Sequence, residues 1–370
     1  MKFEIEATST SILSMVFTVD MYICRRLWAV GDFLPFLFFF LLFENSDNNN
    51  FPVFKIFMSP PKLSDLGTLR SEDERKEARK AHALYIENSL RPATWGEVGP
   101  DAFFVGVNAV VALFCAALFY NNVYPNIAEC KELQYGWIVR VFAVNWAVMY
   151  AGYEGYNWLF YKGGFSTLYG KPPTKYNPEG YEDGQLEREM KYTVLSMGIA
   201  SGYHCLALHG WANGWFSTAY FSIGAVPIWQ FLGTFLVLGL WSDFHFYWCH
   251  RLLHTRLLYG PFHKLHHLSR NPGPWSGMSM HPVESILYLS KILGGLLFCH
   301  PLHFLFILFN STLMPIPGHS GHMEALGNEY HWIHHHMATN NFGSPAVPFD
   351  KLFGTHFQLK QPAHTDKKNE

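Results

Sequence analysis

Four long apolar segments occupy the middle of the chain, at roughly 102–120, 136–160, 192–212 and 225–248. A helix crossing a bilayer core needs about 20 apolar residues, so this pattern predicts four transmembrane helices. The polar stretches between them alternate in basic charge. Arg70, Arg75, Lys76, Arg79, Lys80 and Arg91 precede the first segment, and the next stretch, 121–135, holds only Lys131. The stretch 161–191 carries Lys162, Lys171, Lys175, Arg188 and Lys191, and 213–224 carries no Lys or Arg. Arg251, Arg256, Lys264 and Arg270 follow the fourth segment. Basic loops lie on the cytosolic side, which places the region after residue 248 there. A fifth apolar run, 285–314, is interrupted by Gly294-Gly295 and by His300-Pro301. Its halves are of re-entrant length. They predict a helical hairpin that turns near His300 and Pro301 and returns the chain to the cytosolic face.

Toward the N-terminus, the apolar runs 11–23 and 27–43 are separated by Arg25 and Arg26 and read as a signal anchor or an extra span. Asn45–Asn50 and Pro60-Pro61 mark a polar linker, and 70–90 reads as an exposed charged helix. The expected organisation is therefore an apolar segment and linker over 1–68, a charged cytosolic helix over 69–100, and spans over 101–224. A catalytic region over 225–357 and a cytosolic tail over 358–370 follow. The tail ends Lys367-Lys368-Asn369-Glu370, which resembles a dilysine retrieval signal of endoplasmic-reticulum membrane proteins or is a solvated charged end.

Composition agrees with a membrane protein. Charged residues make up 15% and hydrophobic residues 49%, where soluble chains average about 25% charged. A net charge of -2 gives no reason to expect nucleic acid as a partner. The six cysteines form no C-x-x-C pair, which disfavours a disulfide framework or a thiolate zinc site.

Histidine carries the chemistry. Of 20 histidines, 16 fall between His245 and His356. His250 and His254 stand at i and i+4. His263, His266 and His267 stand at i, i+3 and i+4, and His331, His334 and His335 repeat that spacing. On a helix each set shares one face, and together they can enclose two metal ions. His319 and His322 add to the supply, with His245 and His281 as ligands or polar supports and His336 as an outer residue. Imidazole suits iron, zinc, copper and nickel. Oxidation of an unactivated C–H bond requires a metal that changes valence and binds O₂, which favours iron; zinc can occupy such a site in a purified sample. No H-E-x-x-H of zinc proteases, no G-x-G-x-x-G opening a helix and no haem-anchoring C-x-x-C-H is present. His204 and His209 read as packed within a span, and His300 and His303 as hairpin-turn residues.

The string Asp243-x-x-x-Tyr-Trp-x-His250-Arg-x-x-His254 resembles the first box of the fatty acid hydroxylase / sterol desaturase superfamily. Asn271-Pro, Trp275-Ser-Gly and His281-Pro-Val-Glu284 after His263, and His331-x-x-His-His with Asn341-Phe-Gly343 and Phe349-Asp350-Lys-Leu-Phe-Gly354, carry the resemblance on to about residue 357. It implies an all-α, polytopic membrane bundle with a cytosol-facing, histidine-rich di-metal region. It also implies two iron ions held by His250, His254, His263, His266, His267, His331, His334 and His335, with His319 and His322 completing the set. Asp243, Glu284 and Asp350 are the supporting carboxylates. The implied activity is O₂-dependent hydroxylation or desaturation of a membrane lipid, with cytochrome b5 or a similar protein as electron donor and the endoplasmic reticulum as location. The Trp275-Ser-Gly and His281-Pro-Val-Glu284 strings favour a sterol over a fatty acyl or sphingoid substrate. A membrane metal transporter or sensor is the competing class, and it requires ligands strung along the spans.

Overall fold

A computed structural model describes residues 88–93, 101–122, 124–176, 181–297, 300–323, 325 and 328–359. The apolar runs 11–23 and 27–43, most of the charged helix expected over 70–90, and Lys367-Lys368 lie outside the described residues. The described chain is mainly helical. Its long elements are α1 (Asp101–Asn122), α2 (Tyr135–Tyr161), α3 (Gln185–Ala212) and α4 (Ile228–Leu253). They coincide with the four apolar segments. Strands β1 (Leu90–Pro92) and β2 (Phe357–Leu359) pair antiparallel, with Arg91 opposite Gln358.

The expectation of four spans needs a correction at the level of composition. Among the described residues, no helix is long and apolar enough to cross a membrane. In three of the four helices polar residues intrude. α2 carries Asn145, Glu154 and Asn157, α3 begins with Glu187, Arg188, Glu189 and Lys191, and α4 ends in Asp243, His250 and Arg251.

α3 is the central post. Its residues from Ser196 to Trp211 are buried on every side, the signature of a helix enclosed by neighbours. Gly198, Ala200, Ser201 and Gly202 keep that stretch slim. Its hydroxyls hold the segment that follows the second histidine box. Thr193 donates to the Trp275 carbonyl at 2.6 Å, and Ser196 donates to that of Met278 at 2.8 Å. Trp275 is fully buried, its ring 5.2 Å from that of Tyr153 on α2. A Cβ at Gly277 would come within 2.9 Å of the Pro315 carbonyl oxygen, so the Trp-Ser-Gly string marks a close backbone crossing.

The fifth apolar run folds as the expected hairpin. Its first arm is α5 (Pro282–Leu289) with a 3₁₀ segment, Ser290–Leu296, and its second arm is α6 (Pro301–Leu313). Tyr288 donates to the Ser311 carbonyl at 3.1 Å, and a Cβ at Gly295 would meet Phe304 at 3.0 Å. These pairs set an antiparallel register centred next to His300. His300 caps α6: its ring accepts from Leu302 N–H at 3.0 Å, while His303 accepts from His300 N–H at 3.1 Å. Pro301 follows at the first helical position, where a missing N–H costs nothing. The chain then returns through His319 to α7 (Asn328–Met337), which carries the third box.

Candidate metal centre

Nine of the ten expected ligands converge, and they do so in two groups. His250, His254, His263, His267 and His334 form one; His266, His319, His331 and His335 form the other. Within each group one ligand nitrogen per residue lies within 4.8 Å of all the rest. The groups adjoin, with the His267 and His335 rings 4.9 Å apart. Residues at i and i+4 enter the same group, as in His250/His254, His263/His267 and His331/His335. The i+3 residue crosses to the neighbour, as His266 and His334 do. Box two is not the single α-helical face that its spacing suggests. Tyr259–His263 is one π-helical turn and His266–Leu268 a 3₁₀ turn. π turns are rare and concentrate at functional sites.

Backbone and carboxylate acceptors fix the rings. Nδ1 of His250 lies 2.6 Å from the Phe342 carbonyl, that of His334 2.6 Å from Asn340, and that of His319 2.7 Å from Pro315. A carbonyl can only accept, so each Nδ1 carries the proton and each Nε2 presents a lone pair to the group. His263 Nδ1 lies 2.7 Å from Glu284 Oε1, a carboxylate partner of the kind that orients metal-bound imidazoles. The loop that supplies the Asn340 and Phe342 carbonyls takes an unusual path. Ala338 and Asn341 both adopt φ of 55°, a conformation that costs a non-glycine residue about 1–2 kcal/mol. The turn at Ala338 ends α7 and brings the Asn340 carbonyl back over His334.

The interior of the centre is short of protons and rich in lone pairs. His254 Nε2 lies 3.0 Å from that of His263, 3.1 Å from that of His334 and 3.2 Å from that of His267. Nitrogens bound to one ion at about 2.1 Å stand about 3.0–3.4 Å apart, so this spacing fits a shared cation. In the second group His331 Nε2 and both ring nitrogens of His335 are buried without a partner. An unmet buried polar atom costs about 1–3 kcal/mol, and a cation would satisfy one nitrogen on each of the two rings. Burial and mutual repulsion hold these imidazoles neutral, the form that binds metal. Burial lowers His250 to about 3 and His266 to about 4, and it takes His331, His334 and His335 well below the ordinary range. Burial likewise pushes Glu284 well above the carboxylate range; a positive ion at the His263 Nε2 would reverse that preference.

His322 is not brought into either group. Its ring stacks on Phe160 at 5.1 Å, and its Nδ1 lies 2.8 Å from the Ser320 carbonyl. The three carboxylates take three different positions. Glu284 touches a ligand. Asp350, 1% exposed, accepts from Phe342 N–H at 3.0 Å, Gly343 N–H at 2.7 Å and the Tyr330 hydroxyl at 2.5 Å. It thereby holds the loop whose carbonyl orients His250. Asp243 touches no ligand imidazole and faces Ser344 and Lys291 instead. His245 lies 3.0 Å from Ser290 Oγ, His281 caps α5, and His336 stacks on Trp332. The acceptors at Phe342, Asn340 and Pro315 escaped sequence reasoning, because a backbone carbonyl leaves no mark on residue type. Lys291 escaped it too, although a lone lysine inside an apolar run is a visible signal.

A cavity opens beside the centre. His250, His263, His266, His319 and His331 form one wall, and Phe246, Met280, Phe306 and Met314 contribute apolar surface. The exposed faces of two helices are apolar as well. Val110, Phe114 and Leu118 line α1, and Ile228, Trp229, Leu232, Leu236, Val237 and Leu240 line α4.

Comparison with known proteins agrees with this arrangement. Residues 235–355 match the family described as Fatty acid hydroxylase. The chain is 28% identical over 201 residues to lathosterol oxidase of Rattus norvegicus, covering 50% of this chain and 64% of the relative. It is 28% identical over 180 residues to methylsterol monooxygenase 1 of Danio rerio, 43% of this chain and 60% of the relative. It is 31% identical over 137 residues to Delta(7)-sterol-C5(6)-desaturase of Nicotiana tabacum, 34% of this chain and 49% of the relative. The chain thus spans about half to two-thirds of the length of these relatives. No solved structure matches it. The match at 235–355 makes this part of the chain similar to the fatty acid hydroxylase family, and the relatives share that region.

Proposed function

We propose that the protein is an O₂-dependent oxidase of a membrane lipid, a sterol, with two iron ions held by the nine converging histidines. The observation that carries this reading is the pair of adjoining histidine groups set in the wall of a largely apolar cavity. When bound, the irons supply O₂ activation and removal of hydrogen from an unactivated C–H bond, yielding an alcohol or an alkene. The chain's own residues do the rest. Glu284 and the Phe342, Asn340 and Pro315 carbonyls hold protons on Nδ1 and keep Nε2 bare. Asp350 fixes the loop that carries two of those carbonyls. Phe246, stacked on His250 at 5.0 Å, helps keep water from the ligands on the cavity side.

The exposed apolar stripes of α1 and α4 support insertion in a bilayer, since soluble surfaces rarely carry contiguous apolar patches of this kind. The endoplasmic reticulum is the proposed membrane, with the histidine centre facing the cytosol. Electrons come from a separate donor, cytochrome b5 or a similar protein. The names of the relatives support a sterol over a fatty acyl or sphingoid substrate. Ligands gathered at one end disfavour a transport path, because among the described residues no histidine group forms elsewhere. The decisive experiment compares lipid profiles of cells lacking the protein, restored with the wild type or with H266A/H267A. The wild type should remove an accumulated sterol; the double variant should insert in the membrane and form no product. Normal product from H266A/H267A would overturn the assignment.

A further inference from the structure

One charge pair in the cavity wall is unused by the metal centre. Lys291 is 3% exposed and sits on the 3₁₀ segment Ser290–Leu296 of the hairpin. Its ammonium lies 3.9 Å from the centre of the Tyr288 ring and 5.4 Å from that of Phe246. Its backbone is pinned, since Trp241 donates its indole N–H to the Lys291 carbonyl at 2.9 Å. Asp243, half-buried on α4, is near enough to act on it electrostatically, and both residues line the cavity together with Asn310. The pair stands close to the ligands: Phe246, which Lys291 touches, stacks on His250. A buried lysine is expensive and seldom improves stability over an apolar residue of similar size. Here the two groups interrupt a largely apolar cavity wall.

We infer that Asp243 and Lys291 anchor a hydroxyl group of the lipid substrate. The inference rests on the oxidase reading and adds its recognition chemistry. The pair offers one strong donor and one strong acceptor and carries no net charge. A hydroxyl matches both at once, accepting from the ammonium and donating to the carboxylate. A fatty carboxylate would meet Asp243 as a like charge, and an amine-bearing sphingoid base would meet Lys291. Tyr288 does not compete for the hydroxyl, because its own is donated to the Ser311 carbonyl. The aromatic faces of Tyr288 and Phe246 hold the ammonium in place at the cavity wall by cation–π attraction.

The test uses the full chain purified in detergent, a tritiated 3-hydroxysterol, and as competitors the unlabelled alcohol, its 3-methyl ether and a long-chain fatty acid. The alcohol should compete about 10- to 100-fold better than the ether, the range set by one charge-assisted hydrogen bond. In D243N/K291M, which removes both charges together, alcohol affinity should fall to that of the ether. The anchor is overturned by any of three results: no saturable sterol binding, an ether or fatty acid that competes as well as the alcohol, or a D243N/K291M chain that binds like wild type. The wild-type arm stands even if the double variant fails to fold. Product analysis separates the two readings. Pair-dependent binding without oxidised lipid upholds the anchor and removes the oxidase; equal oxidation of alcohol and ether does the reverse.

Discussion

Histidines collect at both ends of this bundle, and the two collections behave differently. At the end formed by the hairpin turn, His204, His209, His300 and His303 each find a private partner. His209 Nδ1 lies 2.9 Å from the Cys130 carbonyl, His303 Nε2 lies 2.9 Å from that of Phe231, His204 Nδ1 lies 3.2 Å from Asn145, and His300 caps a helix. Nothing converges. At the other end, nine rings give Nδ1 to an outer partner or to nothing and turn their remaining nitrogens on one another. The same side chain serves as packing in one place and as a donor set in the other. What separates them is the direction of the lone pair, which an outer acceptor fixes.

The sharpest way to break this contrast is to remove one ring from each end. H334A should cut the iron retained by the purified chain at least by half and lower product formation by more than about 100-fold, beyond the 10- to 100-fold loss typical when an outer partner is removed. H303A should leave iron content unchanged, as measured by elemental analysis. Equal iron loss in the two would erase the distinction.

A second test concerns burial without a cation. Glu189, fully buried beside Gln185, has its carboxyl pushed up from 4.5 to about 7 by burial. The folded chain then binds this proton more tightly than the unfolded chain does. The stability it gives is full below about pH 4.5 and is lost as pH rises through 7. E189Q keeps the oxygen that accepts from Gln185, so its stability relative to wild type should rise by about 2.5 kcal/mol between pH 5 and pH 8. Thermal unfolding in detergent reads this, and a flat difference would show that Glu189 is ionised throughout.

The smallest expected effect sharpens the role of the outer partner itself. E284Q retains an acceptor for His263 Nδ1 but loses the charge. Iron affinity, read by chelator competition, should fall about 10- to 100-fold while the fold survives. Unchanged affinity would leave orientation alone, without charge, as the contribution of Glu284.

Much of this was legible in the sequence, and the reasons are physical. Helices α1 to α4 follow the apolar segments because burying or covering such runs leaves helical backbone as the way to satisfy their own N–H and C=O groups. The hairpin was legible because Pro301 cannot continue a helix from its N-terminal side. Histidine spacing revealed that a centre exists but not how it divides, since box two abandons regular α-helix between His263 and His266. The place of Asp350 was hidden for another reason. It acts through the backbone of Phe342 and Gly343, two residues whose side chains tell nothing of it. Apolar length alone also overstated the spans, because Asn145, Glu154 and Asn157 interrupt α2.

The crossing of ligands between groups has a consequence for how such a centre can change. α7 sends His334 one way and His331 and His335 the other, and box two divides likewise. Only box one, with His250 and His254, and the segment with His319 serve one group alone. A one-residue insertion or a small rotation of α7 therefore strips ligands from both groups at once, and no change of backbone length in α7 or box two can retune one while sparing its neighbour. Along α7 and box two the centre is inherited as a unit: a change there keeps both groups or damages both.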